Sequence, residues 1–196
     1  PKPVAPELAR EILDAVAKGF DRQIDFTKQM MALDSTRGNE RAAQDHYYEA
    51  LASRGYTMDR WSIDIDDIQD HPGFSPVKVN YDNAINVVGT HLPDQELGRS
   101  LILNGHVDVV PTGPLDMWAR PPFEPWVEGD WLYGRGGADM KGGLCANLAA
   151  LDALETLGWQ PAARLHMQSV TEEECTGNGA LSALVRGYRA DAALIP

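Results

Sequence analysis

Beyond residue 83 the chain alternates short apolar runs with helix-length amphipathic stretches, and this alternation restricts its fold more than any other feature. Residues 84–89 and 101–104 are apolar runs of strand length. Residues 139–157 place Leu144, Leu148, Leu151 and Leu154 on one side and stop at Gly158. Residues 164–170 read as a strand, 179–188 as a helix, and 191–195 as the opening of a further strand. Strands alternating with helices specify an α/β sheet that is at least partly parallel. Upstream, Leu8, Ile12, Val16 and Phe20 recur every four residues, and the pattern continues through Ile24, Phe26, Met30 and Leu33, so the first stretch reads as a helix. Residues 39–54 read as a second helix ended by Gly55, 56–65 as an edge strand, and 111–130 as a loop rich in Pro and Trp. Ala192 to Ile195 looks like a buried strand that has just begun. Domain boundaries prefer exposed polar linkers, so the 196 residues are expected to be the N-terminal part of one larger catalytic domain.

Charge narrows the function. With 17 basic and 29 acidic side chains the net charge is −12, which disfavours nucleic acid and anionic membrane surfaces as partners. No apolar run approaches the ~20 residues that span a bilayer, and the opening PKPVAPELAR lacks the apolar core of a secretory signal. Cys145 and Cys175 are the only cysteines, which excludes a disulfide framework and a cysteine-based zinc site and makes a cytoplasmic location the default. The acidic run Asp64, Asp66, Asp67 and Asp70 reads as a solvated surface. It fails as a calcium loop because Ile68 and Gln69 stand where a ligand and the turn glycine belong.

Three segments at joints of the α/β pattern carry chemistry. The first, Asn104-Gly105-His106-Val107-Asp108, follows an apolar strand, and ligands of open α/β sheets bind outside the carboxyl ends of the strands. His106 and Asp108 share a face in extended chain, as a metal-bound imidazole and its orienting carboxylate would; taken alone, a solvated strand-end His and a turn Asp are the commoner source of such a pair. The second, residues 134–143, has five glycines in ten positions. Its Gly134-x-Gly136-x-x-Asp139 pattern puts a carboxylate where a pyrophosphate would sit, and Lys141 is followed by Gly rather than Ser or Thr, so neither phosphate-binding motif is met. Asp139 either caps the following helix or faces a cation. The third, Thr171-Glu172-Glu173-Glu174, sets three carboxylates at a strand end, which repel unless solvated or neutralised by a cation. One Glu can hold a metal while its neighbour faces a reacting water. His106, Asp139 and Glu173 are spaced by 33 and 34 residues, one per βα unit, and one His with several carboxylates suits zinc, cobalt or manganese.

The stretches LNGHVDVVP, WARPPFEPWVEGDWLYGRGGADMKGG and SVTEEECTGNGAL resemble the acetylornithine deacetylase and succinyl-diaminopimelate desuccinylase family, relatives of aminoacylase and glutamate carboxypeptidase. The resemblance covers roughly residues 84–196. It implies a zinc-peptidase-like catalytic domain, with a mixed, largely parallel sheet and flanking helices, that cleaves the amide bond of a small N-acyl amino acid or peptide using two divalent metal ions. On that resemblance His106, Asp139 and Glu174 are metal ligands, with Asp139 bridging both ions and held by a cis bond to Met140. Asp108 orients His106 and Glu173 is the general base. The family usually has Asp where Glu172 stands, so a register of Glu172 and Glu173 is open, although the distance to Gly179 favours Glu173 and Glu174. Two further ligands, an acidic residue shortly after the strand opening at Asp191 and a distant His, would lie beyond residue 196, as would a lid domain through which homodimers form. A chain ending there is expected to be inactive and to hold one metal firmly at most. A metallo-exopeptidase is the alternative within the same chemistry, and a truncated non-catalytic binding module the alternative outside it.

Overall fold

The structure, a computed structural model, describes residues 4–196; the first three residues of the PKPVAPELAR stretch lie outside it. Helix α1 (Pro6–Ala32) opens with Pro in its first turn, where the missing N–H costs nothing, and buries Ala15, Thr27, Met30 and Met31. Helix α2 (Arg41–Ala52) buries Ala43, Gln44, Tyr47 and Leu51 and ends at Gly55, whose φ of 81° suits a helix stop. Strand β1 (Thr57–Ser62) leads to the one-turn α3 (Ile65–Ile68), which Asp64 caps by accepting from the Asp66 N–H. The neighbouring Asp66, Asp67 and Asp70 are exposed, the solvated surface expected of that acidic run. Then follow β2 (Ile85–His91), β3 (Leu101–His106), the small hairpin of β4 (Trp126–Glu128) and β5 (Trp131–Tyr133), α4 (Gly142–Thr156), β6 (Leu165–Val170), α5 (Asn178–Val185) and β7 (Ala192–Leu194).

The main sheet is mixed, in the order β1-β2-β6-β3-β7. β1–β2 and β2–β6 are antiparallel, whereas β6–β3 and β3–β7 are parallel. The parallel half is the one built from β–helix–β units, and it carries all three segments singled out by their chemistry. Helices α1, α2 and α4 cover one face, where Met30, Tyr47, Leu51, Val87, Leu144 and Met167 form the main core. Each such fully buried side chain stabilises the fold by about 1.5–3 kcal/mol. Gln44 locks α2 to the sheet by donating to the carbonyls of Ile85 (2.8 Å) and Ser169 (3.0 Å). On the opposite face, Leu181 of α5 joins Ile63, Ile68, Tyr81 and Ala84 in a second cluster. No helix among the described residues is long and apolar enough to cross a membrane.

Two expectations are corrected. The segment 111–130 is not wholly loop, because Trp126 and Tyr133 stack at 4.9 Å and pin the β4–β5 hairpin. The helix expected from Asp139 starts at Gly142, after a kinked turn over Gly137–Lys141. Within the described residues β7 is the outermost strand of the sheet, paired with β3 alone.

Glu40, at the N-terminal boundary of α2, is 1 % exposed, and both its carboxylate oxygens accept from the Gly38 N–H (2.9 and 2.8 Å). Burial pushes its pKa up to about 7 from 4.5, with Asp108 and Glu172 adding to the rise against local backbone hydrogen bonds. A carboxyl whose folded pKa is raised favours the fold at low pH and loses that contribution as pH rises through the folded value. Glu40→Gln is therefore expected to gain stability relative to the parent, by about 1–3 kcal/mol, between about pH 5 and about pH 8. Urea unfolding of both proteins at the two pH values checks this, and a pH-independent difference refutes it.

Candidate metal centre

His106 is the last residue of β3 and only 3 % exposed. Its Nδ1–H donates to the main-chain carbonyl of Asp108 at 2.9 Å, and the Asp108 Oδ1 lies 3.4 Å from the same nitrogen. That pair fixes the ring and points Nε2 outward to the edge of the sheet. The other Asp108 oxygen, Oδ2, accepts from the Glu174 N–H at 3.0 Å, so one buried carboxylate ties the β3 loop to the β6 loop. Of the two Asp108 groups beside the ring, the main-chain carbonyl makes the closer contact.

Asp139 reaches the same point from the glycine-rich turn, its Oδ1 3.1 Å from His106 Nε2. It makes no capping hydrogen bond, its backbone is extended (φ −127°, ψ 104°), and the bond to Met140 is cis. The capping alternative for Asp139 is thereby set aside. Gly136, at φ 77°, lets the turn reverse immediately before it. From the β6 loop, Glu173 Oε2 lies 3.6 Å from His106 Nε2. His106, Asp139 and Glu174 each offer one ligand atom, and these atoms lie within 4.8 Å of one another. Beside them runs a cleft of about 230 Å³ lined by Val110, Arg135, Gly136, Asp139 and Glu174.

The three glutamates divide. Glu172 is 2 % exposed at φ 67° and turns away from His106. Its carboxylate accepts a fork from Arg37 (Nε 2.6 Å, Nη2 2.7 Å), the Tyr81 hydroxyl (2.7 Å) and Thr176 (3.1 Å). Glu172 is therefore no solvated loop residue, and the geometry places Glu173 and Glu174 at the centre. The hydrogen-bonded Glu172 carboxylate raises the Arg37 guanidinium pKa further.

The donor set fits a hard or borderline divalent cation. Asp108, Asp139, Glu173 and Glu174 crowd one imidazole, and protonation shows the demand for positive charge. Burial pulls the His106 pKa down, yet hydrogen bonding and charge from Asp108, with Glu173 behind it, hold it at about 9. Burial and then the neighbouring Asp139 push the Glu174 carboxyl up. A cation on Nε2 and the carboxylate oxygens would relieve both.

Several residues here escaped the sequence reading. Arg37, Tyr81 and Ser35 sit far away in sequence, in stretches without periodicity or motif. Lys141, which fails the phosphate-loop motif, has another use here. It is fully buried, donates to the carbonyls of Met30 (2.9 Å) and Leu33 (2.7 Å), and burial lowers its pKa to about 8. His166 is structural, within 2.9 Å of the Thr90 hydroxyl and edge-on to Tyr188. Trp118 packs under Arg135 and Trp126 under Arg120, while Trp131 is 70 % exposed. Cys145 is buried, as expected of a core position.

Residues 102–195 match the model of Peptidase family M20/M25/M40. The chain is 44 % identical over 119 residues to an N-formyl-4-amino-5-aminomethyl-2-methylpyrimidine deformylase of Halalkalibacterium halodurans, covering 59 % of this chain and 27 % of that protein. It is 36 % identical over 121 residues to a succinyl-diaminopimelate desuccinylase of Dechloromonas aromatica, covering 60 % of this chain and 30 % of that protein. The matched stretches thus span under a third of these curated relatives. The fold is similar to that of human carnosine dipeptidase 1 (TM-score 0.76, 19 % identity, 95 % of this chain and 40 % of that one). It is also similar to a tripeptidase from Staphylococcus aureus (TM-score 0.64, 25 % identity, 89 % and 42 %).

Gly179 packs its bare Cα against the Thr171 carbonyl, where a Cβ would overlap the oxygen. Gly179→Ala is expected to cost ~1–3 kcal/mol, a drop of several degrees in Tm, by displacing the 171–174 turn from α5. Calorimetry showing an unchanged Tm would contradict this packing.

Proposed function

We propose, since residues 102–195 of this chain match the model of Peptidase family M20/M25/M40, that the protein carrying them is a metal-dependent amidohydrolase that deacylates small N-acyl amino acids. The observation that carries this reading is the meeting of His106, Asp139 and Glu174 donor atoms within 4.8 Å from three separate loops, with Glu173 beside them. The deformylase and desuccinylase relatives favour deacylation. Exopeptidase action on a short peptide is the second reading, favoured by the tripeptidase likeness, and would use the same residues. Residues 1–196 are then the N-terminal part of one catalytic domain, a reading supported by the share of each relative that is matched.

His106 Nε2, an Asp139 oxygen and a Glu174 oxygen would hold divalent metal. Zinc suits this set best; cobalt and manganese are compatible. When bound, the ions supply Lewis-acid polarisation of the amide carbonyl and stabilise negative charge developing on its oxygen. The Asp108 carbonyl keeps the proton of His106 on Nδ1, leaving Nε2 as the ligating atom. Glu173 lies 3.6 Å from Nε2 and its side chain is 55 % exposed, so it can face an attacking water. Its carboxylate takes a proton from that water and then delivers it to the departing nitrogen, releasing a carboxylate and a free amine.

In the whole protein, Glu173→Gln is expected to lower kcat by about 10²–10⁴-fold on an N-acetyl, N-formyl or N-succinyl amino acid while metal content is retained. Asp139→Asn is expected to lower metal content itself. Chelator should abolish turnover, and zinc or cobalt should restore it. Full turnover by the Glu173→Gln protein would remove Glu173 from the chemistry, and dipeptide cleavage in place of deacylation would select the second reading.

A further inference from the structure

The segment joining α1 to α2 touches all three loops that meet at the metal centre. Lys141, two residues from Asp139, donates to the carbonyls of Met30 and Leu33. Ser35 Oγ donates to the Val107 carbonyl (2.6 Å), and the Val109 N–H donates back to the Ser35 carbonyl (3.1 Å), flanking Asp108. Thr36 and Val109 form a parallel bridge at the same place. Arg37 completes the set with its fork on Glu172, the residue before Glu173.

We propose that Arg37 is a positioning residue: by clamping Glu172 from the α1–α2 segment, it sets the orientation of Glu173 and Glu174 toward His106. Glu172 is fixed at both ends. Its side chain is held by Arg37, Tyr81 and Thr176, and its main-chain carbonyl accepts from the N–H groups of Thr176 (2.9 Å) and Gly177 (2.8 Å). A residue pinned in this way at φ 67° dictates the direction in which the next two side chains leave the chain. The guanidinium fork suits this task because two parallel contacts fix an angle as well as a distance, which an ammonium cannot do. A buried carboxylate that loses its only fork partner seeks solvent or another cation, and the backbone on which Glu173 rides moves with it.

The inference rests on the metal-site reading above, and the experiment separates the two. In the whole protein, zinc alone is titrated calorimetrically into the apo form of the parent, Arg37→Gln, Arg37→Lys and a control, Arg54→Gln. The control removes a fork of like geometry (2.6 and 2.7 Å to Asp152) on the helical face, outside the site. Arg37→Gln is expected to weaken zinc binding about 10–100-fold and to lower kcat more than it raises KM. Arg37→Lys should recover part of both, and Arg54→Gln should change neither while lowering Tm. If Arg37→Gln loses only thermal stability, as the control does, Arg37 is merely structural and the positioning role is overturned. Should Arg37→Gln fail to fold, Arg37→Lys with parental affinity and kcat overturns it equally, and Tyr81→Phe, which removes one contact to Glu172, is expected to show a smaller loss of the same kind. A parent protein that binds no zinc overturns the metal-site reading and this inference together, whereas parental binding unaffected by Arg37→Gln overturns the inference alone.

Discussion

The parallel pairing of β3 with β6 sets His106 opposite Val170, and the rest of the site follows from that register. Both strands end at the same level, so the chain leaving β3 through Asp108 and the chain leaving β6 through Glu172–Glu174 emerge side by side. A shift of one residue in β3 would turn His106 to the opposite face of the sheet, and a shift in β6 would carry the Glu172–Glu174 turn out of step with it. The register is held by the core below it, where Leu103 and Met167 are paired and packed under α4, and above it by the Asp108 carboxylate accepting from Glu174. α4 in turn brings in Asp139, because the turn that carries this residue is continuous with the helix.

Electrostatics separates what is structural from what is left for chemistry. Glu172 is buried and fully answered, by a guanidinium, a phenol and a threonine hydroxyl. Asp139 and Glu173, at 74 % and 55 % side-chain exposure, are set against a single imidazole. Four carboxylates drawn toward one buried ring cost stability through mutual repulsion unless a cation joins them. The Asp108 Oδ1, buried and without a hydrogen-bond partner of its own at 3.4 Å from the ring, is the plainest mark of that cost.

How much of this was legible in the sequence depended on range. Helices α1, α2 and α4 showed in their apolar spacing, and His106, Asp139, Glu173 and Glu174 showed as acidic or imidazole-bearing joints between strands and helices. These are local patterns, and a sheet with parallel strands collects such joints at one edge by rule. The clamp on Glu172 was not legible, because Arg37 lies 135 residues away and an arginine in a polar turn has no pattern of its own. The start of α4 was misplaced because helical apolar spacing resumes at once after a turn whose backbone is extended at Asp139, and spacing does not report such a kink.

Lys141 shows how a stretch with little motif content comes to matter. α1 ends without a basic residue in its last turn, so its terminal carbonyls carry the negative end of the helix dipole unanswered from within the helix. Lys141 crosses from the turn before α4 to answer them, at the expense of its own hydration, which is why its pKa falls to about 8. An exposed lysine would do the same for the helix more cheaply. What burial adds is geometry: the ammonium, held between two fixed carbonyls, anchors the turn on which Asp139 is mounted. The glycines of that turn supply the close approach and Lys141 supplies the fixed point. The α1–α2 junction, which has no recognisable motif, thereby becomes the common base for all three site loops.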